Sequence, residues 1–246
     1  MFKSITLLFL VLVLLAEILG TVGGFGSSVF FVPLASFFLD FHVVLGLTAI
    51  FHLSSNISKI TLFRKALDKK LLLYIGLPSV LFVIIGGELS RLVNTKWLEI
   101  ALSIFLIGLS MLFLIKKDLT IKPAAKESII GGSLSGFFAG LLGTGGAIRG
   151  ITMAAFNLEK GVFIATSATI DFGIDFTRTI VYLFNGYIHK EHLIYIPFLL
   201  AIGFAGTFIG KYLLKFIPQD KFKSISLILI LIIGIITLGK VVFFNP

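Results

Sequence analysis

Apolar residues in this chain come in runs of about twenty, with few charges inside them. That pattern limits the possible folds more than any other feature, because about 20 helical residues span the hydrocarbon core of a bilayer. Six uninterrupted runs have the length: Val43–Phe63, Leu71–Leu89, Leu98–Ile115, Val162–Phe184, Leu193–Leu214 and Phe222–Phe244. Two more apolar stretches, Ile5–Leu39 and Ile129–Phe156, are interrupted by glycines, at Gly20–Gly26 and at Gly143–Gly146. Only 13% of the 246 residues are charged, against about 25% in a soluble domain. There is too little charge to clothe a soluble enzyme and too much hydrophobicity for disorder. An all-α polytopic membrane protein is expected. Met1–Leu15 has the charge and apolar core of a signal peptide, but no small-x-small site follows and the pattern recurs mid-chain, so it reads as part of the fold.

The chain is duplicated. Ala16-x-x-Leu19-Gly20-Thr21-x-Gly23-Gly24 matches Ala139-x-x-Leu142-Gly143-Thr144-Gly145-Gly146 with one residue inserted. Further on, Thr48, His52, Asn56 and Lys59 align with Ser167, Asp171, Asp175 and Arg178 at one constant offset. Phe63, Lys69, Leu72, Tyr74 and Ile75 likewise match Phe184, Lys190, Leu193, Tyr195 and Ile196. Residues 1–115 form a first membrane repeat, 116–128 a basic linker and 129–246 a second repeat. Each repeat is a glycine-broken region followed by three spans, a plan typical of secondary transporters.

Lysine and arginine concentrate in cytoplasmic loops. If each broken region crosses the membrane, the repeats are parallel and the Lys/Arg count on the two sides is 11 to 7. If each is a re-entrant hairpin, the repeats are inverted and the count is 13 to 5. The stronger asymmetry favours inverted repeats with both termini outside.

The glycine breaks point to anion binding. Irregular backbone at membrane depth survives only inside protein or beside a watery cavity. A helix restarting after such a break presents free N–H groups at a positive dipole end, which suits an anion. Gly23, Gly24, Gly145 and Gly146 are the candidate main-chain donors, with hydroxyls from Ser27, Ser28 and Thr144. The alternative for glycine is close helix packing, the expected role of Gly132-x-x-x-Gly136-x-x-x-Gly140 and Gly206-x-x-x-Gly210.

The aligned polar residues, spaced i, i+4, i+8, i+11, fall on one face of each helix. Ionisable groups inside a span are costly and normally face the bundle interior. His52 and Asp171 lie mid-span and can carry protons, with Asp175 a further proton-coupling candidate. Lys59, Arg178 and Asn56 are candidate anion ligands, as is Arg149 just past the second break. Competing readings are snorkelling of Lys59 and Arg178 to the headgroups and structural pairs such as Asp175–Arg178 or Asp171–Lys59. Glu17 reads equally as a coupling carboxylate or a capping partner. Asp40, His42, His189 and His192 fall in connections and are expected to be solvated.

Without cysteine, thiolate metal sites and cysteine nucleophiles are excluded, and no H-x-x-x-H occurs. No metal, cofactor or catalytic residue is expected. The net charge of +9 fits basic loops facing anionic lipid rather than nucleic acid.

Gly20-Thr21-Val22-Gly23-Gly24-Phe25-Gly26-Ser27-Ser28, followed by Val32-Pro33-Leu34, resembles the glycine-rich signature of the TauE/SafE sulfite exporter family. Gly140-Leu141-Leu142-Gly143-Thr144-Gly145-Gly146 is similar to it, although Ala155 stands where the family has proline and Arg149 where it has small or apolar residues. The resemblance implies transport of sulfite, thiosulfate, sulfonates or related organic anions, driven by protons across a prokaryotic cytoplasmic membrane. A passive anion channel and, from another class, a membrane assembly factor or enzyme are the alternatives. Oligomeric state is left open.

Overall fold

The computed structural model describes residues 2–23, 26–63, 67–116, 121–213, 215–216 and 219–244. These residues form helices and no strand, in two sets of five. The first set is α1 (Phe2–Gly23), α2 (Ser28–Ala35), α3 (Phe41–Phe63), α4 (Lys69–Leu92) and α5 (Thr95–Ile115). The second is α6 (Ala125–Leu142), α7 (Gly146–Ala154), α8 (Lys160–Phe184), α9 (Lys190–Leu213) and α10 (Gln219–Gly239). Among the described residues every expected span is a helix. Five of them are long and apolar enough to cross a membrane: α3, α4, α5, α9 and the segment Ser224–Phe243 that begins in α10. The 25-residue α8 matches them in length, but Asp171, Asp175 and Arg178 interrupt its apolar character.

The breaks are narrower than the glycine runs suggested. Gly20 to Gly23 remain helical as the end of α1, and Gly24 lies outside the described residues. The chain resumes at Gly26, whose φ of 82° is a left-handed conformation that favours glycine. Gly143, with φ 75°, ends α6 in the same way. The helices restart at Ser28 and Gly146.

After each break the chain doubles back. Ser27 returns so close to Gly20 that a Cβ there would lie 2.2 Å from the Ser27 Cα. Lower on the same helix, Phe9 meets Phe31 and Phe38, with ring centroids 6.3 and 5.5 Å away. The second half repeats this: Gly145 packs on the Ser135 carbonyl and Thr152 on Gly131. The initial segment is thus woven into the core, with Phe9, Val13 and Ala16 all buried.

The contacts obey the duplication. α1 packs on α9 as α6 packs on α4, and α3 meets α9 as α8 meets α4. Helices α3 and α8 pair with each other, as do α5 and α10. α3 and α8 run antiparallel: Gly46 faces Tyr187 and Ile188, Asn56 bonds Asp175, and Phe63 shares a cleft with Phe163.

Small residues let α4 and α6 approach, as the G-x-x-x-G spacing predicts. A Cβ on Gly132, Gly136 or Gly140 would lie 2.4, 2.1 or 2.2 Å from the carbonyl oxygen of Ile75, Ser79 or Val83. At Gly206 and Gly210 it would meet the side chains of Glu17 and Thr21 at 2.7 Å. Backbone cannot yield as a side chain can, so Gly140→Ala should cost about 1–3 kcal/mol. We expect purified Gly140→Ala to melt several degrees below the parent in detergent. Gly108→Ala, which meets nothing within 4 Å, should show no loss.

Candidate functional site

The two short helices begin beside each other in the middle of the molecule. Ser28 Oγ donates to Thr144 Oγ1 at 3.3 Å, and a Cβ on Gly26 would sit 3.9 Å from the Gly146 Cα. The first amides of a helix have no carbonyl one turn back. Two such ends therefore converge, each with a positive dipole. Neither is sealed by its own N-cap: the Ser27 and Gly145 side-chain positions make no capping bond.

Six charged residues surround this point, and they are matched one to one. Lys59 Nζ is 3.1 Å from Glu17 Oε1. Arg178 Nε donates to Asp175 Oδ1 at 2.7 Å. Arg149 grips Asp171 with both terminal nitrogens, Nη2 reaching Oδ2 at 2.5 Å, while its Nε donates to Ser167 at 3.1 Å. A charged side chain at the centre of a membrane helix costs about 3 kcal/mol on insertion scales. Six left unpaired would cost roughly 15–20 kcal/mol, more than a domain's net stability, so the pairing is compulsory.

Arg178 carries a second duty. Its Nη1 donates to the carbonyls of Ala139 at 3.2 Å and Gly143 at 2.9 Å, closing the C-terminus of α6. At 2% exposure it does not snorkel. Asn56 Nδ2 donates to Asp175 Oδ2 at 2.6 Å, joining α3 to α8. His52 lies between the halves: Nε2 is 3.0 Å from Ser27 Oγ, and Nδ1 is 3.4 Å from Arg178 Nη2 and 3.8 Å from Asp175 Oδ2.

His52, Asn56, the three cations, Asp171 and Asp175 line a cleft of ≈ 360 Å³ with Gly26, Ser27, Ser28, Gly145, Gly146 and Ile174. A second space of ≈ 450 Å³ shares Gly26, Lys59, Arg149 and Asp171 with it. It leads past Thr21, Phe63 and Phe163 to the end of the molecule where α3 finishes and α8 begins. The opposite end is closed by aromatic groups. Tyr182 donates to the Gly140 carbonyl at 2.6 Å and stacks on Tyr187, and Tyr187 hydrogen-bonds Ser90 at 2.8 Å. His42 covers Tyr187 and bonds the Ser90 carbonyl at 3.0 Å, so it is half-buried and not solvated as expected.

The structure thus brings Ser27, Ser28, His52, Asn56, Lys59, Thr144, Gly145, Gly146, Arg149, Asp171, Asp175 and Arg178 into one region. Gly23 ends α1 nearby, and Gly24 falls outside the described residues. The expected Asp175–Arg178 pair is present. The expected Asp171–Lys59 pair is not: Arg149 reaches Asp171 first, and Lys59 turns to Glu17. One member of the network, Tyr182, was not foreseen, and the role of Glu17 was left open between coupling and capping. Tyr182 reads in sequence as one more aromatic in an apolar run. Glu17, completely buried, accepts from Ser55 Oγ at 2.5 Å, Ser27 Oγ at 2.6 Å, Thr207 Oγ1 at 2.9 Å and Thr21 Oγ1 at 3.1 Å. Its depth inside α1 was the available signal. Among the described residues no trio of His, Asp and Glu is arranged to hold a metal ion.

Comparison with known proteins agrees with this architecture. The family model described as Sulfite exporter TauE/SafE matches residues 8–237, nearly the whole chain. Searches of curated proteins and of solved structures found no match. The family consists of membrane transporters of sulfur anions, not enzymes. This multi-pass helical chain belongs to the TauE/SafE sulfite exporter family.

Proposed function

We propose that the protein is a secondary active transporter. It moves a small sulfur-containing anion, such as sulfite, thiosulfate or a sulfonate, across the cytoplasmic membrane with a proton, by alternating access. The observation that carries this reading is the charge balance at the meeting point of two helix N-termini. Three cations and three carboxylates sum to zero around a cleft whose main-chain donors suit an anion.

Coupling follows from that balance. An anion entering a neutral, poorly hydrated site adds an uncompensated charge. A proton on one carboxylate restores neutrality and releases its cation to the anion. Asp171 is the carboxylate best placed for this. Glu17 is held by four hydroxyls and Lys59, and Asp175 by Arg178 and Asn56. Asp171 meets Arg149 alone among the described residues, lies at the junction of the two spaces and has a side chain 24% exposed. Protonating Asp171 frees the bidentate Arg149, a geometry suited to an oxyanion. Gly145, Gly146, Ser27, Ser28 and Thr144 complete the anion site, while Lys59, Arg178 and Asn56 hold its shape and charge.

Inverted repeats with re-entrant hairpins are supported by the doubling back of α2 along α1 and α7 along α6, and by the antiparallel α3–α8 pair. The Lys/Arg count of 13 to 5 supports a cytoplasmic position for the open end of the cleft. The protein then stands in an inward-facing state with its termini outside.

In proteoliposomes, Asp171→Asn should reduce accumulation of the anion driven by a pH gradient by at least ten-fold while binding persists. Unchanged driven accumulation would remove Asp171 from the coupling role, and flux that never concentrates in the parent protein would make it a channel. Arg149→Gln deletes a charged hydrogen-bonding partner worth about 1.5–3 kcal/mol. Binding of sulfite or thiosulfate, read by thermal shift or calorimetry, should weaken about 10- to 100-fold. A C-terminal alkaline phosphatase fusion should be active and a C-terminal fluorescent protein fusion dark. The reverse pattern would rule out termini outside.

A further inference from the structure

Glu17 is the most heavily bonded carboxylate of the site, yet the anion cleft does not need it as a ligand. Its effect is transmitted through one hydroxyl. An ionised carboxylate only accepts hydrogen bonds, and a serine hydroxyl has one proton to give. Ser27 Oγ lies 2.6 Å from Glu17 Oε2 and gives its proton there. It can then only accept from His52 Nε2, 3.0 Å away. Nε2 must carry the hydrogen, which leaves Nδ1 with its lone pair. The other side of the ring agrees independently. Nδ1 faces an Arg178 Nη2 donor at 3.4 Å, and Asp175 Oδ2, at 3.8 Å, is beyond hydrogen-bond reach.

We propose that Glu17 is a positioning residue that sets the tautomer of His52 through Ser27, directing an incoming proton to Nδ1 on the side of Asp175. The proposal rests on reading His52 as a proton carrier. The charged groups around His52 are Glu17 from α1, Lys59 from α3, Arg149 from α7, and Asp171, Asp175 and Arg178 from α8. A proton on Nδ1 turns a contact with the Arg178 donor into a repulsion and draws the ring toward Asp175. Ser27 itself has helical backbone angles and makes no capping bond, so the α2 amides stay free for an anion.

Glu17→Gln tests this. Ser55, Thr207, Thr21 and Lys59 all point at Oε1, so the introduced amide must place its oxygen there and its NH₂ toward Ser27. Ser27 then accepts from that amide and donates to His52 Nε2, moving the ring hydrogen to Nδ1. Solid-state NMR of ¹⁵N-histidine protein in lipid bilayers reads the tautomer directly. Only four histidines are present, and His52→Gln assigns the signal. The parent should show hydrogen on Nε2 and Glu17→Gln hydrogen on Nδ1. Ser27→Ala, a smaller change, should give a mixture of both. If both variants keep the parent tautomer, the proposal fails, because a purely structural Glu17 would change stability and leave the tautomer alone. If the tautomer switches but the pH profile of driven transport does not move, Glu17 positions His52 as proposed and it is the reading of His52 as proton carrier that fails.

Discussion

Charge inside a membrane must be matched where it stands, and this molecule is organised around that requirement. Lys59–Glu17, Arg149–Asp171 and Arg178–Asp175 link α3 to α1, α7 to α8, and successive turns of α8. Buried pairs seldom add net stability over apolar residues, but removing one member costs about 3–5 kcal/mol. Such pairs persist where they serve a purpose besides stability. Here each cation also serves the broken helices. Arg178 closes the end of α6, Lys59 secures the carboxylate at the end of α1, and Arg149 stands on the first turn of α7. The charge network and the irregular backbone therefore depend on each other.

The matched positions of the two halves share one geometry and fill it with two chemistries. The matched sequence positions pair Ser27 with Arg149, His52 with Asp171, Asn56 with Asp175 and Lys59 with Arg178. The contacts repeat accordingly. The Ser27–His52 hydrogen bond in one half takes the place of the Arg149–Asp171 ion pair in the other. Asn56 and Asp175, counterparts of each other, meet across the centre. Glu17 corresponds to Gly140, so the first half has a carboxylate where the second has none. One half thus offers a neutral hydrogen-bonding arm and the other an ionic arm, which suits a site that handles an anion and a proton together.

Much of this was legible in the sequence because membranes make polarity conspicuous. Helix number, the duplication, the two breaks and the polar faces of α3 and α8 follow from apolar runs about 20 residues long and the few exceptions inside them. Partner choice was not legible. Helical spacing places Asp171 and Lys59 on inward faces, but which cation reaches Asp171 depends on how α7 folds back from a glycine. Gly20 was misread for a related reason. Its value lies in Ser27 lying against it and not in a bend, and sequence spacing cannot separate those uses. His42 was missed because its burial comes from Tyr187, distant in the chain.

The asymmetry between the two ends of the cleft has its own logic under the proposed cycle. Phe63 at the end of α3 and Tyr182 near the end of α8 stand at opposite ends of that antiparallel pair. Tyr182 seals one end by bonding the carbonyls of Ala139 and Gly140. Phe63, with no hydroxyl, lines the open mouth at the other end, where Lys211 sits 5.0 Å above its ring. If the halves are inverted repeats, exchanging their conformations exchanges the open and closed ends. Opening the far end then means separating Tyr182 from the end of α6. Of the two carbonyls it leaves, Arg178 also holds that of Ala139 and, beyond it, that of Gly143, so parting the aromatic seal strips α6 of only the Gly140 bond. The arginine that neutralises Asp175 in this way also keeps the end of α6 anchored when the seal moves.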